Sequence, residues 1–123
     1  MRPLIGVEEF NSSPRGCTIT GTDGNDRLRG TSRDDVICGL GGDDAVFGDA
    51  GRDRLEGGNG DDTLYGDDGD DVLSGGFGGD VLSGGPGDDR LAGGPGADYQ
   101  AGGEGTDQCQ ASSTVGDAGD GCE

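Results

Sequence analysis

Aliphatic residues recur along the chain at intervals of nine, each flanked by two residues that a strand would turn to the opposite face. The series is Leu28, Ile37, Val46, Leu55, Leu64, Leu73, Leu82 and Leu91, and its next two equivalents are Gln100 and Cys109. Because side chains alternate faces along a strand, this pattern predicts three-residue strands with one inward side chain each. The two polar or small equivalents indicate that the core ends there.

A six-residue turn precedes each of these strands, and the turns share two residue types. Ten nonapeptide units run from Gly21 to Gln110 without an insertion. Their first residues are Gly21, Gly30, Gly39, Gly48, Gly57, Gly66, Gly75, Gly84, Gly93 and Gly102, and their sixth residues are Asp26, Asp35, Asp44, Asp53, Asp62, Asp71, Asp80, Asp89, Asp98 and Asp107. A glycine and an aspartate kept in one frame predict a shared loop with a shared ligand.

One unit cannot bury its single aliphatic side chain, so the units must stack. Two units facing each other form an 18-residue coil, and ten units form about five coils. Odd-numbered units would then make one parallel sheet and even-numbered units the other. The fold class predicted is all-β, a parallel β-roll or β-solenoid with its loops along both edges.

Composition supports this narrow architecture and excludes several functions. Only 28% of the 123 residues are hydrophobic, there are 31 glycines, and the formal net charge is −18. So acidic a chain repels itself unless cations compensate, and it is a poor partner for nucleic acid. The absence of histidine leaves no base for nucleophilic catalysis, so we expect no enzyme.

The glycine and aspartate turns suit a hard cation. Ca²⁺ takes six to eight oxygen ligands, and glycine lets several backbone carbonyls approach one point. The segments 57–65 (GGNGDDTLY), 75–83 (GGFGGDVLS) and 84–92 (GGPGDDRLA) resemble the RTX, or haemolysin-type, calcium-binding nonapeptide repeats. The resemblance covers residues 21–110 and implies a right-handed parallel β-roll with several Ca²⁺ ions in its loops.

The resemblance also implies which residues bind Ca²⁺ and how many ions there are. Each ion would lie between loops of adjacent coils, such as those of Asp26 and Asp44, which allows at most roughly eight ions. The ligands would be the ten sixth-position aspartates together with Gly39, Gly41, Gly42, Gly57, Asn59, Gly60, Gly66, Asp68, Gly69, Gly75, Phe77, Gly78, Gly84, Pro86, Gly87, Gly93, Pro95 and Gly96. Arg33 stands where the pattern has glycine, so the second loop departs from it.

The ends of the chain lack the repeat. We expect an unstructured segment at 1–16, a β-roll at 17–110 that begins with a capping strand at 17–20, and a cap or tail at 111–123. Cys17 with Cys38, and Cys109 with Cys122, are the pairings favoured among three possible connectivities. Ideal register would place Cys17 opposite Asp35, roughly 10 Å from Cys38 along the strand, so either the first strand leaves register or Cys38 is free.

These features predict an extracellular structural or interaction module that binds Ca²⁺ and folds when Ca²⁺ is present. The chain shows no signal peptide, whereas its four cysteines favour an oxidising compartment. The alternative is a calcium-dependent folding or secretion domain detached from a larger secreted toxin, protease or lipase. No membrane span is predicted. Phe47 and Tyr65 either pack across neighbouring strands or form a face for self-association or a protein partner.

Overall fold

The computed structural model describes residues 16–110 and 118–120, which form a two-sided stack of short parallel strands. The strands are β1 (Ile19–Thr20), β2 (Arg27–Arg29), β3 (Val36–Cys38), β4 (Ala45–Phe47), β5 (Arg54–Gly58), β6 (Thr63–Tyr65), β7 (Val72–Gly76), β8 (Val81–Ser83), β9 (Arg90–Ala92), β10 (Tyr99–Ala101), β11 (Gln108–Gln110) and β12 (Ala118–Asp120). The predicted all-β solenoid is confirmed. The described residues include no helix long and apolar enough to span a membrane.

The strands alternate between two six-stranded parallel sheets. One has the order β11-β9-β7-β5-β3-β1 and the other the order β12-β10-β8-β6-β4-β2. Even-numbered units therefore form the first sheet and odd-numbered units the second, as the nine-residue period predicts. Leu55 pairs with Leu73, its equivalent one coil later, and Leu64 pairs in the same way with Leu82.

The core is a single ladder of inward side chains between the two sheets. Ile37, Val46, Leu55, Leu64, Leu73, Leu82 and Leu91 have no solvent exposure, and Ile19, Leu28 and Cys109 pack against them partly buried. Each buried aliphatic side chain contributes roughly 1.5–3 kcal/mol by leaving water. With one such residue per unit, the core stabilises the roll only through stacking of many coils.

A disulfide closes the N-terminal end. Cys17 and Cys38 are bonded, with their Cα atoms 6.0 Å apart. Strand β1 is in ideal register at Ile19, which pairs with Ile37, and the chain bends at Thr18. The register therefore changes only upstream of β1, and this bend brings Cys17 to Cys38. Cys109 is also disulfide-bonded, and its predicted partner Cys122 lies outside the described residues.

At the C-terminal end, the second sheet continues beyond the tenth unit. Strand β12 pairs in parallel with β10, with Tyr99 opposite Ala118, an offset one residue longer than the usual eighteen. Gln100 occupies the aliphatic position of β10 and is 98% buried, and its Nε2 donates a hydrogen bond to the carbonyl of Gln110 at 3.2 Å. The described part of the predicted C-terminal cap is thus a strand. The N-terminal segment 1–15 and residues 111–117 and 121–123 lie outside the described residues.

The outer face of the second sheet carries an aromatic stack. The rings of Phe47 and Tyr65 are nearly parallel, with centroids 5.1 Å apart, and the Arg27 guanidinium lies 5.3 Å from the Phe47 centroid. These contacts agree with the cross-strand packing interpretation of the two aromatic residues. Tyr65 nevertheless keeps 36% of its surface exposed.

Candidate metal-binding loops

The first six residues of each unit form a loop, numbered here one to ten, and the sixth residue of each loop joins a ladder along the edge. The amide N–H of Asp62 donates to Oδ1 of Asp80, its equivalent one coil later, at 2.8 Å. The same bond links Asp44 to Asp62 at 2.8 Å. Odd-numbered loops form one ladder and even-numbered loops the other. The stacking predicted for these aspartates is therefore present.

The second oxygen of most ladder aspartates is buried and has no hydrogen-bond partner. These atoms are Oδ2 of Asp44, Asp53, Asp62, Asp71, Asp80, Asp89 and Asp107. In loop three, Oδ2 of Asp44 and the carbonyl oxygen of Gly57 both lie 2.6 Å from the point where a side chain on Gly39 would begin. A buried carboxylate oxygen without a hydrogen-bond partner, set beside a carbonyl oxygen, is unfavourable without a cation.

Burial makes these carboxylates unfavourable as bare anions. It raises the pKa of Asp62 from 3.8 to about 6 and that of Asp71 to about 8, with the charge of neighbouring aspartates adding to the rise. Burial likewise raises the pKa of Asp80 to about 8 and that of Asp89 to about 7. In each case the hydrogen bond from a backbone amide lowers the pKa but does not offset the burial. A bound cation would favour the charged form instead.

Loops three to ten share a backbone conformation that brings their carbonyls together. Their second and fourth residues have positive φ, as at Gly58 (94°) and Gly60 (111°). Three second positions without glycine adopt the same conformation, at Leu40 (74°), Asp49 (66°) and Asp67 (68°). These departures from the repeat pattern therefore leave the loop intact. They carry a strain of roughly 1–2 kcal/mol each that glycine would avoid.

The predicted ligand residues fall into three groups by their position in the loop and their burial. The sixth-position aspartates from Asp35 onward are buried, whereas Asp26 is half-buried. The predicted first-position glycines Gly39, Gly57, Gly66, Gly75, Gly84 and Gly93 are buried beside the aspartate of their own loop. The predicted third- and fourth-position residues Gly41, Gly42, Asn59, Gly60, Asp68, Gly69, Phe77, Gly78, Pro86, Gly87, Pro95 and Gly96 lie in bends along the two edges. Their role as ligands stays a prediction.

A second aspartate ladder runs outside the first and was not anticipated from the sequence. Oδ1 of Asp43 accepts a hydrogen bond from the amide of Asp61, and Oδ1 of Asp61 accepts one from the amide of Gly79, at 2.9 and 2.8 Å. These fifth-position residues are exposed. The recurrence of Asp or Asn at the fifth position was the available signal, but it resembled a solvated surface charge.

The donor set suits calcium better than a transition metal. Among the described residues, no three His, Cys, Asp or Glu side chains come together as a metal-binding group. An ion between two loops would meet aspartate oxygens and backbone carbonyls, which are the hard ligands that Ca²⁺ prefers. The unpaired Oδ2 atoms and the converging carbonyls therefore fit Ca²⁺, which would supply the missing positive charge when bound.

Comparison with known proteins agrees with this chemistry. The family model for the RTX calcium-binding nonapeptide repeat, built from four copies, matches residues 20–55, 47–82 and 74–109. No curated protein sequence matches the chain significantly. Together the matched segments span residues 20–109, which is most of the chain. The chain therefore belongs to the family of RTX calcium-binding nonapeptide repeat proteins.

Proposed function

We propose that this protein is a non-enzymatic, extracellular calcium-binding module whose β-roll forms when Ca²⁺ enters its loops. The observation that carries the proposal is the row of buried aspartate Oδ2 atoms without hydrogen-bond partners. The seven Oδ2 atoms named above, in a chain of net charge −18, oppose folding unless cations compensate them. Because the loops bring these oxygens together only in the folded roll, Ca²⁺ binding and folding are coupled.

The extracellular setting is supported by the cysteines. The Cys17–Cys38 bridge and the bonded Cys109 are stable in oxidising compartments and rare in the cytosol. Extracellular calcium modules commonly bind with dissociation constants of about 10⁻⁴ to 10⁻³ M. A chain with such affinities folds outside the cell and stays unfolded inside it.

Far-UV circular dichroism during a CaCl₂ titration tests the coupling, with MgCl₂ as the control ion. We expect a coil spectrum in chelator and a cooperative gain of β-structure in Ca²⁺ alone. Mg²⁺ should not substitute, because it demands a small octahedral shell and releases its water reluctantly. At neutral pH, persistent β-structure in excess chelator would contradict coupled folding.

We further propose that the face around Phe47 and Tyr65 binds a protein partner or a second copy of the chain. Tyr65, Val81 and Tyr99 are each 36–42% exposed on neighbouring strands of the second sheet. Their exposed apolar surface supports docking, although the stacking of Phe47 on Tyr65 also serves the fold. Replacing Phe47 and Tyr65 by serine should lower the sedimentation coefficient of the calcium-loaded protein if the face mediates self-association.

A further inference from the structure

The first loop on each edge is built differently from the loops that follow it. In loop one, the amide of Thr22 donates to Oδ2 of Asp26 at 2.6 Å, and the Thr22 hydroxyl lies 3.0 Å from both carboxylate oxygens. The same hydroxyl accepts a hydrogen bond from the amide of Gly24 at 3.1 Å. The carboxylate oxygen that is unpaired in later loops is therefore paired here.

Loop two repeats this arrangement on the opposite edge. The amide of Thr31 donates to Oδ2 of Asp35 at 2.6 Å, and its hydroxyl lies 3.1 Å from both oxygens of that carboxylate. The Thr31 hydroxyl accepts a hydrogen bond from the amide of Arg33 at 3.0 Å. The two loops share threonine at the second position, although they differ at the fourth.

Backbone conformation also distinguishes these two loops from the other eight. Positive φ occurs at the second and fourth positions of loops three to ten, whereas Thr22, Gly24, Thr31 and Arg33 do not have it. Threonine is β-branched and is strongly disfavoured in the left-handed region. The residue at the second position thus selects between an open loop and a loop closed on its own aspartate.

In the closed loops, hydrogen bonds already engage the carboxylate oxygen that an ion would need. In loop one, Oδ2 of Asp26 and the carbonyl oxygen of Gly39 lie 2.7 and 2.8 Å from the point where a side chain on Gly21 would begin. This is the same juxtaposition that Asp44 and Gly57 make around Gly39. Here the carboxylate already accepts bonds from Thr22, so an ion would have to displace them.

We infer that loops one and two are calcium-free caps, and that Ca²⁺ enters only the gaps that begin at an open loop. Within loops one to ten these gaps number six: three-five, five-seven and seven-nine on one edge, and four-six, six-eight and eight-ten on the other. The inference rests on the proposed calcium binding and refines the limit of roughly eight ions. The N-terminal coil is closed by hydrogen bonds and the Cys17–Cys38 bridge in place of ions.

Counting bound ions by native mass spectrometry in a Ca²⁺ titration tests this inference. Asp26→Asn should leave the count unchanged, because an amide oxygen can still accept the Thr22 bonds. The matched variant Asp44→Asn, one coil later on the same edge, should bind one ion fewer. Loss of an ion from Asp26→Asn would overturn the inference.

A gain of binding provides the opposite test. Thr22→Gly opens the second position of loop one, whose fourth residue is already glycine, and should add one bound ion. Thr22→Ser, which keeps the hydroxyl, should add none. An unchanged count in Thr22→Gly would overturn the claim that threonine closes the gap. Failure of the wild-type chain to bind any Ca²⁺ would instead overturn the proposed function, whereas bound ions lost on Asp26→Asn would leave that function standing.

Discussion

The amide of Asp71 donates a hydrogen bond to Oδ1 of Asp89 at 2.8 Å, while Oδ2 of Asp89 is buried without a partner. The two oxygens of one carboxylate thus differ in role. One joins adjacent coils through a hydrogen bond, and the other has no positive charge to compensate it. The hydrogen bond fixes the separation of the loops, and the unpaired oxygen makes the stack dependent on cations.

Replacing a ladder aspartate should have opposite effects with and without calcium. We expect Asp62→Asn to lower the free energy of unfolding in Ca²⁺ by roughly 2 kcal/mol, because a charged ligand is lost. In chelator the same change should stabilise whatever roll remains, because it removes a buried charge. Urea unfolding in Ca²⁺ measures the first effect, and the gain of β-signal over the wild-type coil in chelator, followed by circular dichroism, measures the second. Asp61→Asn is the control, since Asp61 is exposed; equal losses in the two variants would refute the assignment of Asp62.

The calcium-free chain should be more stable in acid than at neutral pH. The pKa of Asp71 is raised from 3.8 to about 8 by burial, so the folded state binds a proton that the unfolded state releases. The resulting stabilisation is complete below pH 3.8 and is lost as the pH rises to about 8. Circular dichroism in a chelator between pH 4 and 8 checks this. A β-signal that grows with rising pH would contradict it.

Calcium-loaded protein should show the reverse dependence, because protons compete with Ca²⁺ for the same oxygens. The Ca²⁺ concentration at the folding midpoint should therefore increase as the pH falls from 8 to 5. A series of CaCl₂ titrations at fixed pH values measures this midpoint. A midpoint that does not move with pH would show that the buried aspartates are not the groups that Ca²⁺ titrates.

Truncating one buried aliphatic side chain of the core should destabilise the whole roll. Leu64 has no exposed surface and lies between its equivalents in the adjacent coils. We expect Leu64→Ala to lower the free energy of unfolding in saturating Ca²⁺ by about 3 kcal/mol. Val72→Ala is the matched control, because Val72 faces outward and is 37% exposed. Urea unfolding of both variants makes the comparison.

Glycine at the fourth position should matter in an open loop and not in a closed one. Gly60 has a φ of 111°, and a side chain there would strike the carbonyl of Gly42. Gly24 holds the same position in loop one, but an added methyl would meet nothing closer than 3.6 Å. We expect Gly60→Ala to raise the Ca²⁺ midpoint of folding and to cost at least roughly 1–2 kcal/mol. Gly24→Ala should match the wild type, and a similar loss there would argue against a closed first loop.

The sequence by itself determined the periodic part of this protein. Strands alternate their side chains, so a single aliphatic residue such as Leu55 in every ninth position is enough to predict short strands, two parallel sheets and the pairing of Leu55 with Leu73. The recurrent sixth-position aspartate was enough to predict a cation, because charge repeated in one frame requires compensation. These features depend on local geometry repeated without an insertion.

Only the tertiary structure decided what happens where the repeat changes. The bend at Thr18 that brings Cys17 to Cys38 depends on contacts between two coils, which a register argument does not contain. The different behaviour of Thr22 and Leu40 is likewise not predictable from the repeat pattern, since both stand at the second position of a unit, where the pattern has glycine. One closes its loop through a hydroxyl that reaches Asp26, and the other accepts a positive φ of 74°. Side-chain hydrogen bonding and backbone strain compete at that position, and their balance is set by the surrounding loop.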